Sequence, residues 1–471
     1  MQDLKPYFFA FALAIAANVL TLKDGHNWGD DFSQYIINAR NIVEGKPYAS
    51  GIMLENPTIY PPGLPLVLAP LVKVFGVNFK VLKGLNILFW YFSIVFFYWT
   101  VSRAGERRLA ALGSVFLAAS SYFFFYKQNV LSDIPLFFFT CCALYLFERG
   151  LFVPFLLAAS AAVWMRSAGN VLFAAALFYF LFIQFDLKKF AAVLAVAMLN
   201  ALLMLPWIGV HPGFWSSIAQ NPAEYLVAIW YNFATAFRSL WYFFCPVQTV
   251  FSSSLFDLGD RLLLWISPVI YLGFAWVFVR GWRRRELSYL ECFSFLYLTL
   301  LIVWAGFTMP PGAFTRFVLP LVPFTFIAAW RFLKFLWRPN FDSGGWGRII
   351  FLVLLLINIS NIAINWNFND DMIGRPDTRQ MAAWLNQHTK PDEHFMFWKP
   401  RALALLSQRT GTAPWIWQGE QEHFYERVRT LGVSYIIVFK EDRDLMLYLD
   451  KIGKFNLVWE NSGYKIFKTI L

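Results

Sequence analysis

Long apolar runs, separated by short basic loops, fill the first three quarters of the chain. Runs that fit membrane-crossing helices fall at 6–22, 83–101, 108–126, 133–148, 151–165, 169–185, 189–209, 262–280, 288–306, 316–336 and 348–364, eleven in all. Two of them, 133–148 and 151–165, fall short of the ~20 residues a span usually takes. The turn Glu148-Arg149-Gly150 between them predicts a tight helical hairpin. Basic residues then mark the sides. Arg103, Arg107 and Arg108, Arg149, Lys188 and Lys189, Arg280 with Arg283–Arg285, and Arg331, Lys334, Arg338 and Arg348 all fall on one side of an eleven-span count. That side is expected to be cytoplasmic, which places the N-terminus inside and the C-terminus outside.

Residues 221–245 are apolar enough to suggest a twelfth span. Their apolar positions Leu226, Ile229, Trp230, Phe233, Phe237, Leu240 and Trp241 recur at helical spacing, with Asn232, Thr235, Arg238 and Ser239 between them. That pattern predicts a helix lying in the interface. Counting it as a span would also put Arg283–Arg285 outside, against the charge rule. Three long pieces are therefore expected outside: the 23–82 loop, the 210–261 segment and the tail.

The tail from about 366 has a different pattern. Helices are expected at 377–389, 400–409 and 420–431. They alternate with β-rich runs at His394–Trp398, Val433–Lys440, Phe455–Glu460 and Tyr464–Lys468, and Asn461-Ser462-Gly463 reads as a hairpin turn. The expected fold class is mainly α. It comprises a polytopic helical membrane domain at 1–365 and a small α/β extracytoplasmic domain at 366–471, within the usual size of an independent fold.

Composition agrees with the pattern. The 471 residues are 58% hydrophobic and 15% charged, with mean hydropathy +0.50, where a soluble domain is nearer a quarter charged. The net charge of +11 resides largely in the short loops, so it reads as a topology signal with lipid-headgroup contact and not as a nucleic-acid surface. Cys141, Cys142, Cys245 and Cys292 lack metal-site spacing, so neither a disulfide framework nor a zinc site is expected. The first apolar run is expected to stay as an uncleaved helix.

Chemistry is expected in the first outer loop, where Asp30-Asp31 follow the first helix. Asp31, Tyr35, Asn38, Ala39 and Ile42 would share one face of a short helix opening near Asp30. An acid there can be a cap or a general base at the membrane–water boundary. A third carboxylate, Asp133, opens the fourth apolar run in Ser132-Asp133-Ile134-Pro135. Two carboxylates sharing a cavity would suit a base that must later hold a proton. Lys83, Lys127, Arg166, Arg238 and Arg316 are the outer-side cations. Arg suits a phosphate through two parallel hydrogen bonds, while snorkelling to headgroups is the plainer role for any one of them.

Asp31 four residues before Tyr35, then Glu44-Gly45, then Tyr60-Pro61-Pro62-Gly63 and an apolar run ending Val74-Phe75-Gly76 resembles the first outer loop of GT-C glycosyltransferases. The branch containing protein mannosyltransferases and the lipid A aminoarabinose transferase is the most similar. The motif covers about fifty residues and the topology most of the chain. The resemblance implies an inverting transferase that takes a sugar from a polyprenyl-phosphate donor outside the cytoplasm. It makes Asp31 the catalytic base, Asp30 its neighbour and Asp133 a second acid in or beside the site. Tyr35 and Tyr60 become candidate substrate contacts. Arg316, in an Arg-aromatic-apolar-Pro signature, and Arg166 lead the phosphate contacts, ahead of Lys127, Lys83 and Arg238. The lipid A branch carries a charged residue directly before its Pro-Pro, where this chain has Tyr60, so that branch's specificity does not carry over.

The expected partners are a polyprenyl-phosphate sugar, a lipid, glycan or protein acceptor, and membrane lipids, with no nucleic acid. A monomer in a bacterial inner membrane, with the site and tail outside, is expected. No cofactor and no required metal are expected, although the acids could hold a divalent cation. The alternatives are a lipid-linked sugar transporter or flippase, an oligosaccharide transferase or ligase of the same architecture, and a receptor with the tail as sensor. Paired repeats and broken mid-membrane helices, frequent in transporters, are not evident here. In the tail, Trp384 and Trp398 are expected in the core, and Trp415-Ile416-Trp417 is a candidate for acceptor or membrane contact.

Overall fold

The computed structural model of the chain describes residues 5–471 except 55–59, 104–106, 208–221, 247–253, 305–313, 337–345, 367–370, 415–420 and 471. Trp415 and Trp417 therefore lie outside the described residues. The chain folds as two compact units. One comprises 1–21, 85–127 and 132–368, and the other 22–84, 128–131 and 369–471. The unit that holds the tail also takes in 22–84.

The first unit is helical. The helices Phe79–Arg103, Leu187–Trp207 and Leu264–Arg284, and the interrupted helical stretch Arg107–Tyr126, are each long and apolar enough to cross a membrane, and shorter apolar helices accompany them. The hairpin forms where expected. Helices Asp133–Glu148 and Phe152–Met165 pack along each other, and Gly150 turns between them at φ 70°, a conformation that costs glycine little. Helix Tyr289–Val303 opens with a capping box in which Ser288 and Glu291 satisfy each other's backbone N–H groups. Residues 222–244 form one continuous helix, Pro222–Phe244. Its Asn232 is buried and donates to the Ile302 carbonyl at 3.0 Å.

Two of the expected spans are interrupted, each for a local reason. The 108–126 run breaks at Ser120, which is extended at ψ 128°. The backbone N–H and hydroxyl of Ser121, the next residue, are taken up by the Asn358 amide oxygen at 3.0 and 2.9 Å. The 316–336 run starts as a 3-10 helix, Thr315–Leu321, and becomes α-helical at Val322. Pro320 lies in this stretch, and in α geometry its ring would crowd the carbonyl of Arg316.

The second unit is built on a five-stranded sheet: β1 His394–Met396, β2 Gly411–Thr412, β3 Val433–Phe439, β4 Phe455–Glu460 and β5 Tyr464–Thr469. The order is β2-β1-β3-β5-β4, with β1 parallel to both β2 and β3, and β5 antiparallel to β3 and β4. Asn461 sets the β4–β5 turn by accepting the backbone N–H groups of Gly463 and Tyr464. Ile436 and Val438 alternate onto one face with Phe467, and Val433 joins the same core beside a register shift in the β1–β3 pairing. There they meet Phe424 and Val428 of helix Gln421–Thr430 and Leu445 and Leu449 of helix Arg443–Ile452. Trp384 and Trp398, expected in the core, are only half-buried. Trp384 stacks on His388, and the Trp398 indole donates to Asp442 at 2.7 Å.

Segment 22–84 is bonded to the sheet and to the stretch that leads into it. Leu54 N–H donates to the Gly411 carbonyl, Trp28 Nε1 donates to the Tyr464 hydroxyl, and Met372 and Ile373 both donate to the His26 carbonyl. Its two helices, Asp31–Glu44 and Gly63–Phe75, pack on each other. The first also packs on the tail helix Pro400–Ser407.

Candidate active site

The Asp31–Glu44 helix begins at the acidic pair, as its spacing predicts. Asp30 holds the N-cap position yet makes no side-chain bond to its own helix. Its carboxylate faces the tail instead. Oδ2 forms an ion pair with Arg401 Nε at 2.8 Å, and Oδ1 accepts the Ala402 N–H at 3.2 Å. Asp30 thus caps the Pro400–Ser407 helix from another segment, against the unsatisfied N–H groups of its first turn.

Asp31 is placed differently. Its Oδ1 accepts the Tyr60 hydroxyl at 2.8 Å and lies 3.5 Å from Arg401 Nη1. Its side chain is 28% exposed, against 15% for Asp30. Tyr60 also accepts a hydrogen bond from Arg401 Nη1 at 2.9 Å, and the same nitrogen donates to Gln34 Oε1 at 2.9 Å. Tyr35, one turn past Asp31, stacks on the Tyr60 ring at 5.0 Å. The expected group of Asp30, Asp31, Tyr35 and Tyr60 therefore does assemble, around a guanidinium from the tail.

The electrostatics separate the two acids. Burial pushes the Asp30 carboxyl above its usual range, against the pull of Arg401, the Ala402 N–H and Lys399. Burial disfavours the Arg401 charge too, but Tyr60, Asp30 and Asp31 outweigh it and hold the guanidinium more firmly protonated than usual. Tyr60 is pushed up to about 12 by burial and then by Asp31. At neutral pH it is a permanent O–H donor to Asp31. The arrangement leaves one acid matched by one cation, and a second acid, more exposed, held by a neutral hydroxyl.

In the helical unit a second polar cluster forms. Asp133 is 2% exposed, and its Oδ1 pairs with Arg166 Nη1 at 2.6 Å. Its Oδ2 is buried with no hydrogen-bond partner among the described residues. The guanidinium carbons of Arg166 and Arg316 each stand 4.8 Å from the Phe317 ring centroid. Tyr126 lies within electrostatic reach of both Arg316 and Asp133. Asp133, Arg166 and Arg316 are thereby brought together.

The remaining cations are placed elsewhere. The Lys83 ammonium is buried and donates to the carbonyls of Lys23 and Gly25 and to Gln128. Lys127 is buried, bonded to Asn18 and Thr21, over the Phe124 ring. Arg238 lies over the Tyr242 ring. The helical unit also carries an apolar cavity of about 790 Å³, open on one side and lined by residues that include Trp241, Phe244, Phe274, Leu298, Phe324 and Trp330.

No protein-family profile matches the sequence, and no curated protein matches it. Solved structures do. ArnT from Cupriavidus metallidurans, bound to undecaprenyl phosphate, aligns over 98% of this chain and 98% of its own, with TM-score 0.55 and 14% identity. The Archaeoglobus fulgidus oligosaccharyltransferase, tethered to an acceptor peptide, aligns over 98% of this chain and 74% of its own, with TM-score 0.56 and 13% identity. The chain shares the fold of these two proteins. It is a membrane protein, mainly helical with a small sheet.

Within the site, sequence reasoning missed Arg401 and Gln34. One local signal pointed to Arg401. It sits in the first turn of a helix, where the dipole disfavours a cation. Such a residue needs acids close by, and Asp30 and Asp31 supply them. Also missed was His26, whose ring is buried and stacked on Phe32 at 3.6 Å. Its Nε2 accepts the Val130 N–H at 3.2 Å, and its Nδ1 lies 3.0 Å from the Asn27 carbonyl, which assigns the proton to Nδ1. His26 fixes the segment that leads into the acidic pair.

Proposed function

We propose that this protein is an inverting glycosyltransferase of the bacterial inner membrane, acting as a monomer on the extracytoplasmic face. It moves a sugar from a polyprenyl-phosphate donor to a lipid, glycan or protein acceptor. The observation that carries this reading is Asp31 itself: a partly exposed carboxylate at a helix start, held by Tyr60, next to an acid already paired with Arg401. The GT-C fold, shared with an undecaprenyl-phosphate-bound transferase, supports it.

In the proposed step the acceptor hydroxyl attacks the anomeric carbon and gives its proton to Asp31. The bond from that carbon to the phosphate oxygen breaks, and polyprenyl phosphate leaves with the electron pair. Attack from the face opposite the leaving group inverts the centre, as in one-step displacements generally. Arg316 and Arg166 are assigned to the phosphate, where cations offset the charge that develops as the bond breaks. Lys127, Lys83 and Arg238 rank below them: the buried ammonium groups of the two lysines are taken up by protein oxygens and lack the fork of an arginine, and Arg238 lies over the Tyr242 ring. The 790 Å³ cavity, apolar and lined by Trp241 and Phe244, suits the isoprenoid chain. No metal is assigned a role.

Because the oligosaccharyltransferase is as similar in fold as ArnT, a second reading is transfer of a whole glycan. One experiment separates them. Purified protein in bilayers is given a panel of polyprenyl-phosphate monosaccharides and lipid-linked oligosaccharides, and released polyprenyl phosphate or pyrophosphate is scored. Release from a monosaccharide donor, lost in Asp31→Asn while donor binding persists, supports the proposal. Release from oligosaccharide donors alone moves the assignment to the second reading. Release from none, or full activity in Asp31→Asn, overturns it.

A further inference from the structure

We propose that Arg401, carried by the tail, is a positioning residue for Asp31: Asp30 serves as its counter-ion, and its Nη1 sets the Asp31 carboxylate through the Tyr60 hydroxyl. This rests on the reading of Asp31 as the base. The geometry is a chain of donors. Arg401 Nη1 donates to Tyr60 at 2.9 Å, and Tyr60 donates onward to Asp31 at 2.8 Å. A hydroxyl that accepts from a cation becomes a stronger donor, so the chain reinforces itself. Gln34 fixes the same Nη1 from the next turn of the acidic helix, at 2.9 Å. Asp30 holds the opposite edge of the guanidinium at 2.8 Å, which prevents it from swinging onto Asp31 as a direct, closed ion pair. The direct approach stops at 3.5 Å.

The consequence is functional. A base clamped by a close guanidinium would be a poor proton acceptor, and a base with no cation nearby would protonate early as pH falls. Among the described residues, the charged and titratable groups that act on Arg401 are Asp30, Asp31 and Tyr60, with Lys399 acting on Asp30. The net effect is one cation shared between two acids, with most of it spent on Asp30. The tail thereby contributes to the reacting centre through a residue that need not touch the substrate.

The test uses the full-length protein in bilayers, with the variants Arg401→Gln, Arg401→Lys, Tyr60→Phe and Asp31→Asn. In Arg401→Gln, kcat is expected to fall about ten- to a hundredfold through loss of positioning, with donor KM within about twofold by the same reasoning. The acid limb of the rate profile is expected to move up by about one pH unit. Arg401→Lys restores the limb more than the rate, because an ammonium keeps the charge but not the fork. Tyr60→Phe moves the limb in the same direction and leaves the tail untouched, so it decides the matter if the Arg401 variants fold poorly. A raised KM with an unmoved limb would make Arg401 a donor anchor and overturn the proposal, as would an unmoved limb in Tyr60→Phe.

A second measurement does not need turnover. Water-soluble carbodiimide labels protonated carboxyl groups, and mass spectrometry can follow labelling of Asp31 against pH. The Asp31 curve shifts to higher pH in Arg401→Gln and Tyr60→Phe. Coincident curves in wild type and variants overturn the inference, whatever the donor panel shows. An inactive wild type with shifted curves sinks the proposed function alone.

Discussion

Acidifying from pH 7 to pH 5 should loosen the segment that carries the acidic pair, and His26 sets the amount. Its ring is buried against Phe32, and burial, with a smaller push from Lys83, lowers its pKa from 6.5 to about 3 despite the bond to Asn27. An opened chain takes up this proton below about pH 6.5, while the folded chain resists until about pH 3. Stability is therefore complete above the unfolded value and is lost as the pH falls through that window. The whole window is worth about 5 kcal/mol, at about 1.4 kcal/mol per unit, and the stretch from pH 7 to pH 5 about 2 kcal/mol of it. Structure shows where the loss falls. A proton on Nε2 would meet the Val130 N–H, which now donates to that atom, and the His26 carbonyl anchors Met372 and Ile373. Hydrogen exchange resolved to peptides over 128–131 and 371–373, corrected for intrinsic rates, should show protection at pH 5 about thirtyfold below that at pH 7. Other titrating groups contribute, and Asp30 opposes, since burial raises its pKa and its contribution grows on acidification. The comparison with His26→Gln isolates the histidine, because glutamine can still accept from Val130 but cannot titrate. Equal pH dependence in wild type and His26→Gln would refute the reasoning.

Two further outcomes are expected. Asp133→Leu leaves Arg166, one-fifth exposed, without its buried partner, and should lower stability by about 2–3 kcal/mol, while Asp133→Leu with Arg166→Leu should recover part of that loss. Thermal unfolding in detergent measures both, and a single variant as stable as wild type contradicts the importance of the pair. Transfer should continue in a strong chelator, because the phosphate is assigned to arginines; loss of activity that magnesium or manganese restores would assign a metal to the acids.

How much of this was legible in the sequence depends on the range of the interaction. Helix Asp31–Glu44 is local: an acidic start, apolar residues at helical spacing and Gly45 to end it at φ 66°. The β4–β5 hairpin is local as well, set by Asn461. Helix Arg443–Ile452 went unread although its signals were present, an N-cap at Asp442 and a left-handed Gly453. Its ten residues give few turns of periodicity, and short elements next to strands are where pattern reading is weakest. The breaks at Ser120 and Thr315 follow from side-chain partners and prolines that hydropathy averages over.

The acidic pair shows the limit most clearly. Spacing alone placed Asp31 and Tyr35 on one helical face, but it could not say which acid was committed elsewhere. That distinction comes from Arg401, hundreds of positions away in sequence, which claims Asp30 at 2.8 Å and reaches Asp31 only at 3.5 Å. Two adjacent carboxylates of the same type thus receive different work from a single guanidinium. Asp30, a candidate cap in the sequence, does cap a helix, but it is the tail helix that supplies the guanidinium. An arginine in the first turn of a helix is unfavourable where it stands, and Asp30 offsets that cost twice, by its charge and by accepting the Ala402 N–H. The same carboxylate that stabilises the tail helix therefore holds the cation off Asp31, so a change at either end of this contact alters both the docking of the tail helix and the basicity of the acid beside it.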